Sequence, residues 1–140
     1  SLLIGESTAE RVKTKIGSAM EDSDHRQMQI KGRDVTEGMS RSIVIGSDEI
    51  YVAINDALQR IVRAIRETLE NTPPELSADI FERGMVIAGG GALLRDMDRR
   101  LMQETGLPVV VAEDPLTCVA RGCGRALEEI AVLGDVFASE

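Results

Sequence analysis

The chain has 140 residues, is 43% hydrophobic and 29% charged, and carries a formal net charge of −8, enough for one ordinary domain or two small lobes. The acidic balance argues against a protein that tracks a nucleic-acid backbone, and no apolar run reaches the roughly eighteen residues of a membrane-spanning helix. Cys118 and Cys123 lie five apart in a predicted helix and so on different faces; no structural disulfide or metal site is expected, no secretory leader is read at the start, and a reducing cytoplasm fits best.

In chain order, Leu2–Gly5 reads as the end of a helix or strand. Ser7-Thr-Ala-Glu10 matches the S-x-x-E capping box, which predicts a helix with Ser7 as N-cap running to about Ala19. Ala9, Val12 and Ile16 share one side of it. Glu10 and Lys13, three apart, share a face, most simply as a cap and a solvated ion pair. His25, the only histidine, falls in an acidic loop and reads as solvent-exposed. Gln27–Lys31 and Ser40–Ile45 alternate as the strands of an antiparallel hairpin with one wet face. Ser47 is the expected N-cap of a long helix, with Asp48 and Glu49 in its first turn. Its apolar stripe is Ile50, Ile54, Ala57, Leu58, Ile61, Val62, Ile65 and Leu69, and Arg60, Arg63, Arg66 and Glu67 lie outside. Pro73–Pro74 ends this helix.

Met85–Ala88 has the pattern of a strand buried on both faces, and it runs into Gly89-Gly90-Gly91. A helix is predicted over Ala92–Met102, with Leu93, Leu94, Met97 and Leu101 inward. Glycines at such a junction let the backbone approach a ligand, and a helix start offers free N–H donors. A tight turn packed on the sheet explains them equally well. The third position of the dinucleotide fingerprint holds Leu94, so that motif is excluded. Gly106 is a left-handed helix stop, and Leu107–Ala112 is a second buried strand. Asp114 and Pro115 predict the N-cap and first position of a last helix, with Val119, Ala126, Leu127 and Ile130 inward. Gly122 and Gly124 within it suggest close packing against another backbone or a ligand. The expected fold is α/β: a helix–hairpin–helix unit, then strand–helix–strand–helix. Two parallel strands are too few for an independent sheet.

Three stretches, Ile4–Ala19, Glu82–Leu94 and Val110–Gly122, together resemble the MreB family, the bacterial rod-shape-determining relatives of actin. The resemblance covers almost the whole chain. It implies a partial actin-like (ribonuclease H-like) ATPase domain of the actin, sugar-kinase and heat-shock-chaperone superfamily. Residues 5–72 correspond to the small upper subdomain of the second actin-like domain, 73–133 to the second portion of the larger lower subdomain, and 134–140 to a tail. By position, Gly89, Gly90, Gly91 and Ala92 would lie against the ribose and phosphates of ATP. The segment Glu10-Arg11-Val12-Lys13 would close over the adenosine, with Glu10 accepting from ribose hydroxyls and the Lys13 stem against the base.

The family's phosphate loops, metal-binding aspartates, water-positioning residue and membrane-inserting elements belong to parts that this chain does not resemble. No catalytic residue and no metal ligand is therefore assigned, and the chain alone is not expected to hydrolyse ATP. The implied parent is a polymerising cytoskeletal ATPase that binds ATP with Mg2+ and organises cell-wall synthesis at the inner face of the membrane. Its implied partners are further copies of itself and cell-shape membrane proteins, with no nucleic acid and no direct membrane contact from this chain. The alternatives are a fragment of a chaperone or sugar-kinase type ATPase, and a non-catalytic interaction module whose glycines are purely structural.

Overall fold

The computed structural model describes residues 1–130 and 134. The tail expected over 134–140 therefore lies, apart from Gly134, outside the described residues. Strand β1 (Leu2–Leu3) precedes helix α1 (Glu6–Ile16), and the hairpin of β2 (Gln27–Asp34) and β3 (Ser40–Gly46) leads into helix α2 (Ser47–Glu70). Helix α3 (Pro74–Arg83), strand β4 (Met85–Ile87), helix α4 (Met97–Thr105), strand β5 (Val109–Val111) and helix α5 (Cys118–Glu128) follow. The three N-terminal strands form one antiparallel sheet in the order β1-β2-β3, and β4 and β5 pair in parallel.

The hairpin forms as its alternation predicts, with Ile30 opposite Ile43 and Met28 opposite Ile45. Ile30 and Ile45 are buried with Val12 and Ile16 of α1 in one apolar cluster, flanked by Leu2, Ile4, Met28, Ile43 and Ile50. Asp34 closes the turn: its carboxylate accepts from the N–H groups of Thr36 (2.8 Å) and Glu37 (3.3 Å) and from Arg41 (3.2 Å). These bonds hold its carboxyl below the ordinary value of 3.8. Leu2–Leu3 adds antiparallel to β2, which settles the strand alternative for the first residues.

Helix α2 belongs to both regions. A 24-residue helix is about 36 Å long, so Ile50 reaches the hairpin cluster while Leu58 and Val62 enter a second one with Ala19, Met97, Leu101 and Val109. Within the predicted stripe Leu58 and Val62 are buried, but Ile61 remains 43% exposed.

Several helix ends differ from expectation. The cap of α1 is Gly5, which makes no side-chain cap bond, and the helix stops at Ile16 rather than Ala19. Ser7 is therefore inside the helix, and the carboxylate of Glu10 pairs with Lys13 instead of reaching back. Gly46, not Ser47, caps α2; the Glu49 carboxylate accepts from the Gly46 N–H at 3.2 Å. Ser47 is buried, and its hydroxyl accepts from the Arg26 N–H at 3.1 Å, tying the helix start to the entry of the hairpin.

The predicted helix over Ala92–Met102 is not continuous. Gly90–Leu93 makes a single 3₁₀ turn, Asp96 takes a left-handed conformation (φ 61, ψ 18), and α4 begins at Met97. Leu93 is consequently 56% exposed rather than inward. Gly106 ends α4 in the left-handed conformation expected of it (φ 72, ψ 6). Gly84 also has positive φ (76), and a Cβ there would run into the Pro108 carbonyl, whose oxygen accepts from the Met85 N–H at 2.8 Å. Only glycine lets α3 turn into β4 this close to the start of β5.

At the last helix, Asp114 and Pro115 occupy a turn, Asp114 has φ 49, and α5 starts at Cys118 with Thr117 as cap. The Asp114 carboxylate still accepts from the Thr117 hydroxyl at 2.7 Å. Val119, Leu127 and Ile130 are 76%, 69% and 54% exposed, so only Ala126 of the expected inward set is half-buried. A Cβ at Gly122 or Gly124 meets nothing within 4 Å, and no backbone among the described residues explains either glycine. Cys118 and Cys123 are free, as their spacing predicts.

Candidate functional site

The residues expected to contact a nucleotide fall in two groups. Glu10 and Lys13 lie one turn apart on α1, with Nζ and Oε2 at 2.7 Å and both side chains largely exposed. A solvated pair of this kind adds little to stability, so both groups are available to a ligand. Arg11 is exposed on the same helix, and its carbonyl accepts from the Thr14 hydroxyl at 3.1 Å.

The second group is the turn after β4. Gly89 has φ 82 and ψ 177, a conformation nearly confined to glycine. Its N–H donates to the Pro115 carbonyl at 2.7 Å, and its own carbonyl accepts from the Ala92 N–H at 3.2 Å. Ala92 is buried. The donor expected to be free at Ala92 is thus engaged, because the segment forms a 3₁₀ turn rather than the start of a long helix. Gly90 and Gly91 are different from Gly89. Neither has a left-handed φ; a Cβ on Gly91 meets nothing within 4 Å, and one on Gly90 meets only Leu116 Cδ2, at 3.6 Å. The fold demands glycine at 89 and accommodates a side chain at 90 and 91.

Among the described residues no hydrogen bond joins the two groups directly. They are connected by a clasp that sequence reasoning missed. The chain leaving α1 is bound to the link between the glycine turn and α4: the hydroxyls of Ser18 (2.8 Å) and Ser23 (2.5 Å) both donate to Asp96 Oδ2. The Ala19 N–H donates to the Arg95 carbonyl at 2.8 Å. Arg95 Nη2 donates to the carbonyls of Asp24 (3.1 Å) and Ile16 (3.4 Å). Arg99 pairs with Asp22 at 2.5 Å. The bond from the Ser23 hydroxyl, helped by that from Ser18 and by the nearby Arg95 and Arg99, outweighs desolvation and holds the Asp96 carboxyl below its ordinary 3.8. At neutral pH the clasp is built on a carboxylate, whose hydrogen bonds are stronger than neutral ones. Ser18 and Asp96 are 78 positions apart; Asp96 following a glycine-rich turn, in reach of a left-handed conformation, was the one local hint.

Magnesium is a separate matter. No group of three His, Cys, Asp or Glu side chains among the described residues could hold a metal ion. Nor is any helix among the described residues long and apolar enough to cross a membrane.

The fold defines the class, that of the actin-like α/β proteins. It matches the crystal structure of MreB5 of Spiroplasma citri bound to ADP with a TM-score of 0.86 at 38% identity, covering 99% of this chain and 41% of that one. It matches the AMPPNP-bound MreB5 equally well (TM-score 0.86, 40% identity, 93% of this chain and 39% of that one). The chain belongs to the MreB/Mbl family, whose model, described as MreB/Mbl protein, matches residues 1–135. It is 56% identical to the cell shape-determining protein MreB of Escherichia coli over 99% of this chain and 40% of that protein. To the cell shape-determining protein Mbl of Bacillus subtilis it is 46% identical, over 92% and 39%. The chain thus spans about 40% of the length of the curated relatives it matches.

Proposed function

We propose that this chain supplies the adenosine side of the ATP cleft, together with subunit contacts, in a bacterial actin-like cytoskeletal ATPase. The intact protein polymerises in the cytoplasm at the inner face of the membrane, works with cell-shape membrane proteins and organises cell-wall synthesis to determine rod shape. In this reading the segment from Glu10 through Arg11 to Lys13 closes over the adenosine, Glu10 accepts from the ribose, the Lys13 stem lies against the base, and Gly89–Ala92 lie against the ribose and phosphates. Residues 5–72 act as the small upper subdomain and 73–133 as a portion of the lower one.

The observation that carries the reading is that two glycines of the turn after β4 are not required by the fold. Gly89 has a conformational reason to be glycine. Gly90 and Gly91 have none among the described residues, and a backbone left bare beside open space is what close approach of a ligand needs. The ADP- and AMPPNP-bound state of the structurally similar MreB5 supports the same identification of the ligand. The competing module with purely structural glycines accounts for Gly89 alone.

Gly91→Ala separates the two readings. It should leave stability within about 0.5 kcal/mol of wild type and lower ADP affinity about ten-fold or more, a loss of roughly 1.4 kcal/mol. Calorimetric titration that finds equal affinities would return the turn to a structural role. Wild-type affinity itself is expected in the high micromolar range, roughly −5 kcal/mol, because phosphate and metal contacts normally supply much of nucleotide binding. ATP turnover by the 140-residue chain should not exceed background. Magnesium-dependent hydrolysis that disappears in Glu10→Gln would overturn the assignment of catalysis to other parts of the protein.

A further inference from the structure

The two candidate contact groups belong to different elements, and a nucleotide held between them is bound well only if their spacing is fixed. Apolar contact among Ala19, Met97 and Leu101 brings the elements together but is non-directional and tolerates sliding. The clasp is directional. Ser18 and Ser23 converge on a single oxygen, Asp96 Oδ2. Lys13 lies three residues before Ile16, whose carbonyl Arg95 holds, a rise of about 4.5 Å along α1. On the other side, Asp96 follows Gly91 by five positions. The clasp therefore sits close to both groups, and Asp96 holds it from a left-handed backbone (φ 61) that disfavours a non-glycine residue. Glycine would relieve that backbone and lose the serine bonds.

We propose that Asp96 is the positioning residue of the nucleotide site: by binding Ser18 and Ser23 it sets the spacing between the Glu10–Lys13 face of α1 and the Gly89–Ala92 turn. The assignment rests on the nucleotide reading above and deepens it, since Asp96 acts through α1 and the turn rather than on the ligand. The charged groups around it are Arg95 and Arg99 on its own side and Asp22 and Asp24 on the facing loop, with Asp22 engaged by Arg99 and the Asp24 carbonyl by Arg95.

The test uses Asp96→Asn, which retains left-handed propensity while removing the charge, and Asp96→Gly, which relieves the backbone and removes the side chain. ADP titrations are run at a temperature where circular dichroism shows each variant fully folded. Both should bind about ten-fold more weakly than wild type, within the usual range of coupling between sites. Glu10→Gln should cost less affinity in the Asp96→Gly background than alone, because α1 is already displaced. Wild-type affinity in folded Asp96→Gly, or strict additivity with Glu10→Gln, would overturn the proposal and leave nucleotide binding standing. Absence of ADP binding by wild type would instead sink the nucleotide reading.

A ligand-free readout isolates the clasp. Spin labels on Lys15→Cys and Leu93→Cys, in a Cys118→Ser, Cys123→Ser background, should give a broader distance distribution in Asp96→Gly than with Asp96 intact. An unchanged distribution would refute the role.

Discussion

The hairpin region and the β4–β5 region are built from equally apolar strands, yet only the first closes its own core. Ile30 and Ile45 are at most 8% exposed, covered by Val12 and Ile16 of α1. In the second region Val109 is buried beneath α2 and α4, whereas Val86 and Val110, the alternate positions of the same parallel pair, are 72% and 60% exposed. Helix α5 has no buried residue, and Phe81 of α3 is 71% exposed. The difference reflects strand type. An antiparallel hairpin alternates and needs one cover, whereas parallel strands are apolar on both faces and need two.

The largest effect expected from this contrast comes where the two regions share a core. Leu101 is 1% exposed, and Leu101→Ala should destabilise the whole chain by about 2–5 kcal/mol. Val86→Ala, on the open face, should cost well under 1 kcal/mol. Chemical denaturation of the two variants measures this directly; equal losses would mean that the open face is covered in solution.

Gly84→Ala comes next. Its positive φ and the Pro108 carbonyl in the way predict a loss of about 1–3 kcal/mol. Hydrogen exchange should rise first at Met85–Ile87 and Val109–Val111, with β2 and β3 still protected. Uniform loss of protection would show that the regions unfold as one.

A smaller effect belongs to the clasp. The lowered carboxyl of Asp96 contributes stability that is complete above the unfolded value near 3.8 and is lost as pH falls through the lower folded one. Wild type should therefore lose stability faster than Asp96→Asn on acidification below about pH 4, where unfolded carboxyls protonate. Parallel curves would mean that Asp96 contributes nothing through its charge.

The smallest change in folding stability is expected at Val110→Lys, within about 0.5 kcal/mol because the side chain already faces outward. Its effect is on association. The open face and the edges of the two-stranded sheet favour self-association of the 140-residue chain, so light scattering should report dimers or larger species for wild type and fewer for the lysine variant. A monodisperse wild-type monomer would remove that expectation.

The sequence was most legible where a pattern repeats within a few residues. Alternation placed β2 and β3, three- and four-residue spacing placed α2, and Gly106 marked the end of α4. It was least legible where two neighbouring residues compete for one role. Gly5 and Gly46 took the cap positions that Ser7 and Ser47 were expected to fill; at α2 the Ser47 hydroxyl is engaged by the Arg26 N–H instead. The exposure of Val119 and Leu127 was hidden for another reason. Helical spacing identifies an apolar face but not whether anything covers it. Of the candidate site, the glycine turn and the Glu10–Lys13 pair could be read locally. The clasp between them depends on folding that brings Ser18 to Asp96.

The distribution of the shared core along the chain also has a consequence for synthesis. Ala19, Leu58 and Val62 leave the ribosome well before Met97, Leu101 and Val109, with which they form one cluster. At about 5–20 residues per second, the interval between Val62 and Val109 lasts roughly 2–9 s. Throughout it the middle of α2 carries an apolar stripe whose partners in the cluster are not yet made. A chaperone acting on this stretch of chain during translation would meet the stripe before its partners are made.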